Sequence, residues 1–210
     1  MIKISKGTEP QEWIDKKKTP GFTVYKPIPE LRLALLRDQG YICGYCMRRI
    51  PVNKMDPGNT EKSKIEHIQS RTNFPYLQLA YDNMIICCPG FINSDEHCDK
   101  LKKSSVISFS PFDVNVERSI SYGSKDGKIV SSNEKWNKDI NEVLALNNVM
   151  LKLNRKQVLE VVRDRIDKKN WKRAELETIL NDWKSRDAAG NLKPYCGVVI
   201  WYVTKKLRSL

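Results

Sequence analysis

Tyr41-Ile-Cys-Gly-Tyr-Cys46 and, further on, Asn83-Met-Ile-Ile-Cys-Cys88 and His97-Cys98-Asp99-Lys-Leu-Lys-Lys103 decide how this chain reads. The six cysteines stand at 43, 46, 87, 88, 98 and 196, and the two histidines, His67 and His97, both fall between the first cysteine and the fifth. In a secreted chain such cysteines suggest disulfides, but Met-Ile-Lys-Ile-Ser-Lys-Gly at the start lacks the apolar core of a signal peptide. In a reducing compartment, a Cys-x-x-Cys followed by a second cysteine cluster reads as a metal site. A structural zinc ion takes four ligands in a tetrahedron, with thiolates the commonest donors. Cys43 and Cys46 supply one pair, and Gly44 between them is expected to allow the tight turn. Cys87 and Cys88 are adjacent, so on a strand they point to opposite faces and one of them faces the ion. Cys88 is that one, since Cys87 continues the apolar run and Cys88 opens the turn toward Cys98. His97 is the alternative donor to a cysteine, and its expected place is bracing the knuckle. Cys196, remote and flanked by apolar residues, is expected to be a small core residue.

Outward from the cysteines, residues 1–28 read as an arm carrying Pro10, Pro20, Gly21, Pro27 and Lys16-Lys17-Lys18. Pro29 suits the first turn of a helix that Gly40 stops. Residues 51–63, rich in turn formers, read as a loop, and Lys64-Ile-Glu-His67-Ile as a short extended segment. A helix is expected to begin near Cys98. Residues 106–133 look like strands, with Gly123-Ser-Lys-Asp-Gly127 as a hairpin turn. From Lys135 onward the spacing is helical: Ile140, Val143, Leu144 and Leu151, then Val158, Val161, Val162 and Ile166, then Trp171, Ala174, Ile179 and Trp183. A last apolar segment runs to Val203.

The 210 residues fit one domain, or one small domain with an elaboration. Their 40% hydrophobic and 30% charged content excludes a disordered chain and a membrane protein. The apolar run from Cys196 to Val203 is far shorter than the ~20 residues a bilayer demands, so the expected location is the cytoplasm. The net charge of +12 suits a polyanion, nucleic acid first of all. Residues 136–210 hold 16 basic and 9 acidic groups, so most of the excess lies there. Lys168-Lys169 and Lys172-Arg173 around Trp171 are the expected phosphate contacts in that region.

Glu66-His67 sits between the cysteine pairs, Asn83 precedes Cys88 by five positions, and Cys98-Asp99-Lys-Leu-Lys102 closes the pattern. This order resembles the HNH endonuclease family. Met84 stands where that family has Leu, Asp99 where it has His or Asn, and the last knuckle is widened. Lys6-Gly-Thr-Glu-Pro10 and the spacing of Cys88 to Asp99 look like the PtuB-like subfamily associated with retrons and Septu-type defence. The resemblance covers residues 43 to 102 and implies a ββα-metal, zinc-knuckle module, placed at 29–103. With the N-terminal arm read at 1–28 and the β-hairpin then mostly helical region read at 104–210, the expected fold is α+β. The resemblance also implies a metal-dependent endonuclease acting on DNA or RNA. The implied partners are a PtuA-like ABC-type ATPase and a retron reverse transcriptase with its RNA–DNA product, in defence against phage. By transfer from the family, Glu66 and Asp99 are ligands of a catalytic Mg2+ or Mn2+, separate from the structural Zn2+, and Asn83 orients the loop bearing the base. Lys102 contacts phosphate or packs on the fold. His67, with an ordinary pKa of ~6.5, suits the general base that takes a proton from the attacking water.

Two other classes compete with the enzyme. A zinc-stabilised nucleic-acid-binding or adaptor module without turnover needs charge and stacking groups but no Glu66, His67 and Asp99 set. A thiol–disulfide protein using Cys43 and Cys46 needs a βαβ context, which the pattern lacks.

Overall fold

The computed structural model describes residues 1–51, 63–168 and 171–210. Helix α1 (Gln11–Lys18) follows Pro10, whose carbonyl accepts the N–H groups of Trp13 and Ile14. Trp13 is fully buried, and its indole N–H donates to the Leu79 carbonyl. Residues 1–28 are therefore no separate arm. Met1, Ile4 and Trp13 belong to the core, because each carries an apolar surface too large to leave in water.

Helix α2 (Pro29–Asp38) begins at Pro29 and ends as Gly40 enters the left-handed region, φ +59°. Its buried face (Leu31, Ala34, Leu35, Leu36) packs toward a two-stranded antiparallel sheet. That sheet pairs β1 (Lys64–His67) with β2 (Met84–Cys87), and His67 lies opposite Met84. Gln39 acts as a short strand edge: its side-chain amide donates to the Ile42 and Ile86 carbonyls and accepts the Ile86 N–H. The loop expected at 51–63 lies almost wholly outside the described residues.

The widened knuckle is a small hairpin of β3 (Phe91–Ile92) and β4 (Asp95–Glu96), turning at Asn93 with φ +56°. Helix α3 (Cys98–Lys102) follows directly. Residues 106–109 alternate buried and exposed as a strand would, yet the Ser108 N–H goes to the Asp139 carboxylate at 2.6 Å and no ladder forms. The next segment is helix α4 (Val114–Ser119), capped by Asp113, where strand was expected. Strands β5 (Ile120–Tyr122) and β6 (Ile129–Ser131) make the expected hairpin, closed by Gly127 at φ +68°.

Helix α5 (Glu134–Lys138) runs into a π-helical turn over Asp139–Val143, and α6 (Val149–Asp167) starts where the Asn148 side chain accepts the Leu151 N–H. Helices α7 (Arg173–Lys184) and α8 (Cys196–Leu207) complete the chain. Val161 and Ala174, expected in apolar stripes, face solvent, whereas Leu176 and Ile179 are buried. Arg155, fully buried on α6, donates to the Gly127 and Leu146 carbonyls and so ties the hairpin to the helices. Helix α8 returns to the cysteine knuckle. The Tyr195 N–H donates to Met47 O, Leu192 N–H to Gly40 O, and Cys196 is buried in the core as expected.

The fold is thus mixed α and β, about 45% helix with small antiparallel sheets. Among the described residues, no helix is long and apolar enough to cross a membrane.

Candidate metal centre and cleft

The Cys43–Cys46 turn is held on β2 by the Gly44 N–H, which donates to Ile86 O at 3.0 Å. The turn is tight, with the Met47 N–H donating to Cys43 O at 3.0 Å, and Gly44 makes it without a positive φ. What it supplies is room: a Cβ there would press on Ile85, Ile4 and the Gln39 amide. Met47 takes the left-handed conformation instead, φ +62°. Cys88 follows the end of β2, and Cys98 opens α3, with its N–H donating to Leu144 O.

The sulfurs of Cys43, Cys46, Cys88 and Cys98 all lie within 4.8 Å of one another and are buried. Cys43 is 3.9 Å from Cys98, and Cys46 is 3.8 Å from Cys88. The edge of a tetrahedron with Zn–S bonds of ~2.3 Å is about 3.8 Å, so the spacing fits a metal and is far too long for disulfides. Burial alone would push the Cys43 thiol up, but hydrogen bonds from Cys46, Cys87, Cys88 and Cys98 outweigh it and hold the thiol well below its usual range. Burial, then hydrogen bonds with Cys43 and Cys88, push the Cys46 and Cys98 thiols well above it, so the anionic character of the cluster sits on Cys43. His97 is buried with neither ring nitrogen hydrogen-bonded, and burial lowers its pKa against the opposing Cys43 charge. An unpartnered buried imidazole beside this cage is a second feature consistent with a group not made of protein. Four buried cysteines this close can hold a metal such as zinc.

Next to the cage, β1 and the start of α3 wall an open cleft of about 520 Å³, lined among others by Lys64, Glu66, His67, Arg71, Asp99 and Lys103. Glu66 Oε1 takes two donors, the Lys102 ammonium at 2.8 Å and the Tyr45 hydroxyl at 3.2 Å. Burial, then the adjoining Asp99 carboxyl, outweigh Lys102 and push Glu66 up to about 8. Two carboxyls side by side in one cleft form a donor pair suited to a hard cation.

His67 is buried on one side, and its Nε2 lies 3.0 Å from Gln78 O. A carbonyl only accepts, so Nε2 carries the hydrogen and Nδ1 keeps the lone pair. Burial lowers its pKa to about 4, against the Gln78 hydrogen bond, so the ring is neutral at pH 7. The Asn83 amide donates to Gln69 O and Leu77 O and accepts the Gln69 N–H. It joins the residues just beyond His67 to the residue before Gln78.

Lys102 corrects the phosphate alternative. Its ammonium is fully buried, paired with Glu66 and donating to His67 O, so it braces the cleft from beneath and cannot reach a backbone phosphate. Lys168, Lys172 and Arg173 are exposed at the junction of α6 and α7, with Arg173 bonded to Leu207 O and paired with Glu177; Lys169 lies outside the described residues. Tyr25 is a site residue that sequence reasoning missed. Its ring stands edge-on to the His67 imidazole, centroids 4.5 Å apart and planes at 88°. The only sequence signal was an aromatic residue in a stretch read as an arm. Comparison with models of known protein families finds no match, and comparison with curated proteins finds none either.

Proposed function

We propose that this chain is a metal-dependent endonuclease of the HNH kind, hydrolysing phosphodiester bonds in DNA or RNA. The observation that carries the reading is the shared cleft of Glu66, His67 and Asp99 beside a four-cysteine cage. In this reading the module from β1 to α3 is a ββα-metal unit, and the cage holds a structural zinc ion. Glu66 and Asp99 would hold Mg2+ or Mn2+, which when bound supplies charge to polarise the phosphate and stabilise the leaving oxygen.

The residues of the chain do the rest. His67 anchors Nε2–H on Gln78 O and takes the proton of the attacking water at Nδ1. Asn83 keeps the Gln69 and Leu77 backbones in register, so the base and its anchor move together. Lys64, Arg71 and Lys103 line the cleft as cations for flanking phosphates. Lys102 and Tyr45 hold Glu66 Oε1, leaving Oε2 for the ion. The defence setting, with a PtuA-like ATPase and a retron product as partners, rests on the sequence resemblance.

The test is incubation of purified protein, alone and with its ATPase partner, with DNA and structured RNA in Mg2+ or Mn2+. Cleavage is expected, and His67→Ala should lower it ~100-fold or more while nucleic-acid binding stays intact. Binding without cleavage by the wild-type chain in every condition would establish the adaptor reading instead.

A further inference from the structure

The reading of His67 as a base says nothing of what aims the ring. Four contacts of the segment before α2, together with the Gln78 carbonyl, answer that. The Tyr25 ring covers the imidazole edge-on at 4.5 Å. The Gln78 side chain grips that segment from both ends of its amide: Oε1 accepts the Tyr25 N–H at 3.1 Å, and Nε2 donates to Thr23 O at 3.1 Å. The same residue's backbone carbonyl is the anchor of His67 Nε2. On the outer side, the Arg71 guanidinium lies 4.9 Å from the centre of the Tyr25 ring, at the mouth of the cleft. Tyr25 is therefore held between a cation and the imidazole, on a strand of chain latched to the residue that fixes the imidazole's proton.

We propose that Tyr25 is a positioning residue: the Thr23–Tyr25 segment, latched by Gln78, holds the His67 ring in the one orientation that points Nδ1 into the cleft. The outer torsion of a histidine is broad, with two wells that exchange the positions of the ring nitrogens. A hydrogen bond to a single carbonyl limits one nitrogen but leaves the ring free to swing away and solvate. An edge-on aromatic neighbour removes that alternative by excluding the space it needs, and such pairs contribute ~0.5–1.5 kcal/mol beyond their buried area. The proposal builds on His67 as base, so its test includes a readout that does not depend on cleavage.

With only two histidines in the chain, nitrogen-15 NMR of the imidazoles resolves each ring, and His67→Gln assigns the pair. Wild type and Tyr25→Phe should show His67 as a single tautomer protonated at Nε2. Tyr25→Leu should show averaged tautomer shifts, and so should Gln78→Leu, which releases the latch while keeping the Tyr25 ring and the Gln78 backbone carbonyl. In a cleavage assay, Tyr25→Leu should lower kcat by ~10-fold or more with KM little changed, since misaiming a catalytic group costs rate rather than binding. Tyr25→Phe should restore kcat. An unaltered Nε2–H tautomer in folded Tyr25→Leu overturns the proposal; should that variant fail to fold, an unaltered tautomer in Gln78→Leu does. Averaged tautomers in a chain whose wild type cleaves no nucleic acid would uphold the positioning role and overturn the nuclease reading.

Discussion

At the scale of single residues, Lys102 and Lys6 do the most with one charge each. Lys102 lies sealed beneath the cleft with its charge opposite Glu66, so removing it strands a buried carboxyl. In urea unfolding at about pH 9, where Glu66 with its pKa of about 8 is ionised, Lys102→Met should destabilise the fold by about 3–5 kcal/mol, and the double variant with Glu66→Gln should recover part of that loss. Lys6 sits 3.4 Å above the centre of the Tyr81 ring, donates to Met84 O at 3.0 Å and pairs with Asp38 at 3.8 Å. It thereby pins β2 opposite His67. Burial lowers its pKa from the usual 10.5 to about 8, with Asp38, Asp82 and Glu9 opposing. Between about pH 8 and 10.5 the unfolded chain binds the proton that the folded chain has released. Stability on account of Lys6 therefore rises with pH across that window. The unfolding free energy of wild type minus that of Lys6→Met should grow from pH 8 to 10.5; a constant difference would mean that the folded chain leaves Lys6 unperturbed.

Among elements, the knuckle joins everything. The Cys43–Cys46 turn, the end of β2, the β3–β4 hairpin and the start of α3 come together around the four sulfurs, and α8 closes over Met47. Short strands of two to four residues cannot hold such an arrangement by themselves. A bound metal would supply the missing folding free energy. Elemental analysis of purified protein should find near-stoichiometric zinc, retained in Cys87→Ala and absent from Cys88→Ser, and Cys43→Ser should unfold at markedly lower temperature. Zinc retained in Cys88→Ser would put Cys87 in the cage. Where Gly127 meets α6, a Cβ would run into the Lys152 backbone carbonyl, and the glycine also holds φ +68°. Gly127→Ala should therefore destabilise the hairpin by more than the ~1 kcal/mol of an ordinary glycine change.

Over the whole molecule, the charge excess concentrates after residue 135, and Lys168, Lys172 and Arg173 lie exposed where α6 meets α7. Lys206 covers Trp171 and Tyr202 at 5.0 and 5.7 Å, so cations and rings alternate across this end. If phosphates bind there, reversing Lys168, Lys172 and Arg173 to Glu should weaken nucleic-acid binding for all sequences alike. The slope of log affinity against log salt should also flatten by ~0.9 for each phosphate that is no longer neutralised. An unchanged slope, together with loss of co-purification with an ATPase of the kind the sequence resemblance implies, would assign the patch to protein binding.

The cysteine quartet, the choice of Cys88 over Cys87, the helix from Pro29 and the hairpin around Gly127 were all legible in the sequence. Each depends on local chemistry: ligand spacing, side-chain alternation along a strand, a fixed proline φ, a permissive glycine. The tertiary structure alone decided the rest. Trp13 is in the core because α1 packs on α2, and no motif in residues 1–28 announces that. Val114–Ser119 is helix because Asp113 caps it, in a stretch whose β-branched residues favour strand. Lys102 is buried because Glu66, from a segment distant in sequence, meets it as an ion pair. Tyr25 meets His67 because Gln78 latches its backbone. Spacing along a chain can specify which donors share an ion. It cannot specify which remote side chain fills the space beside them, because that depends on packing among segments that meet only once the fold has formed.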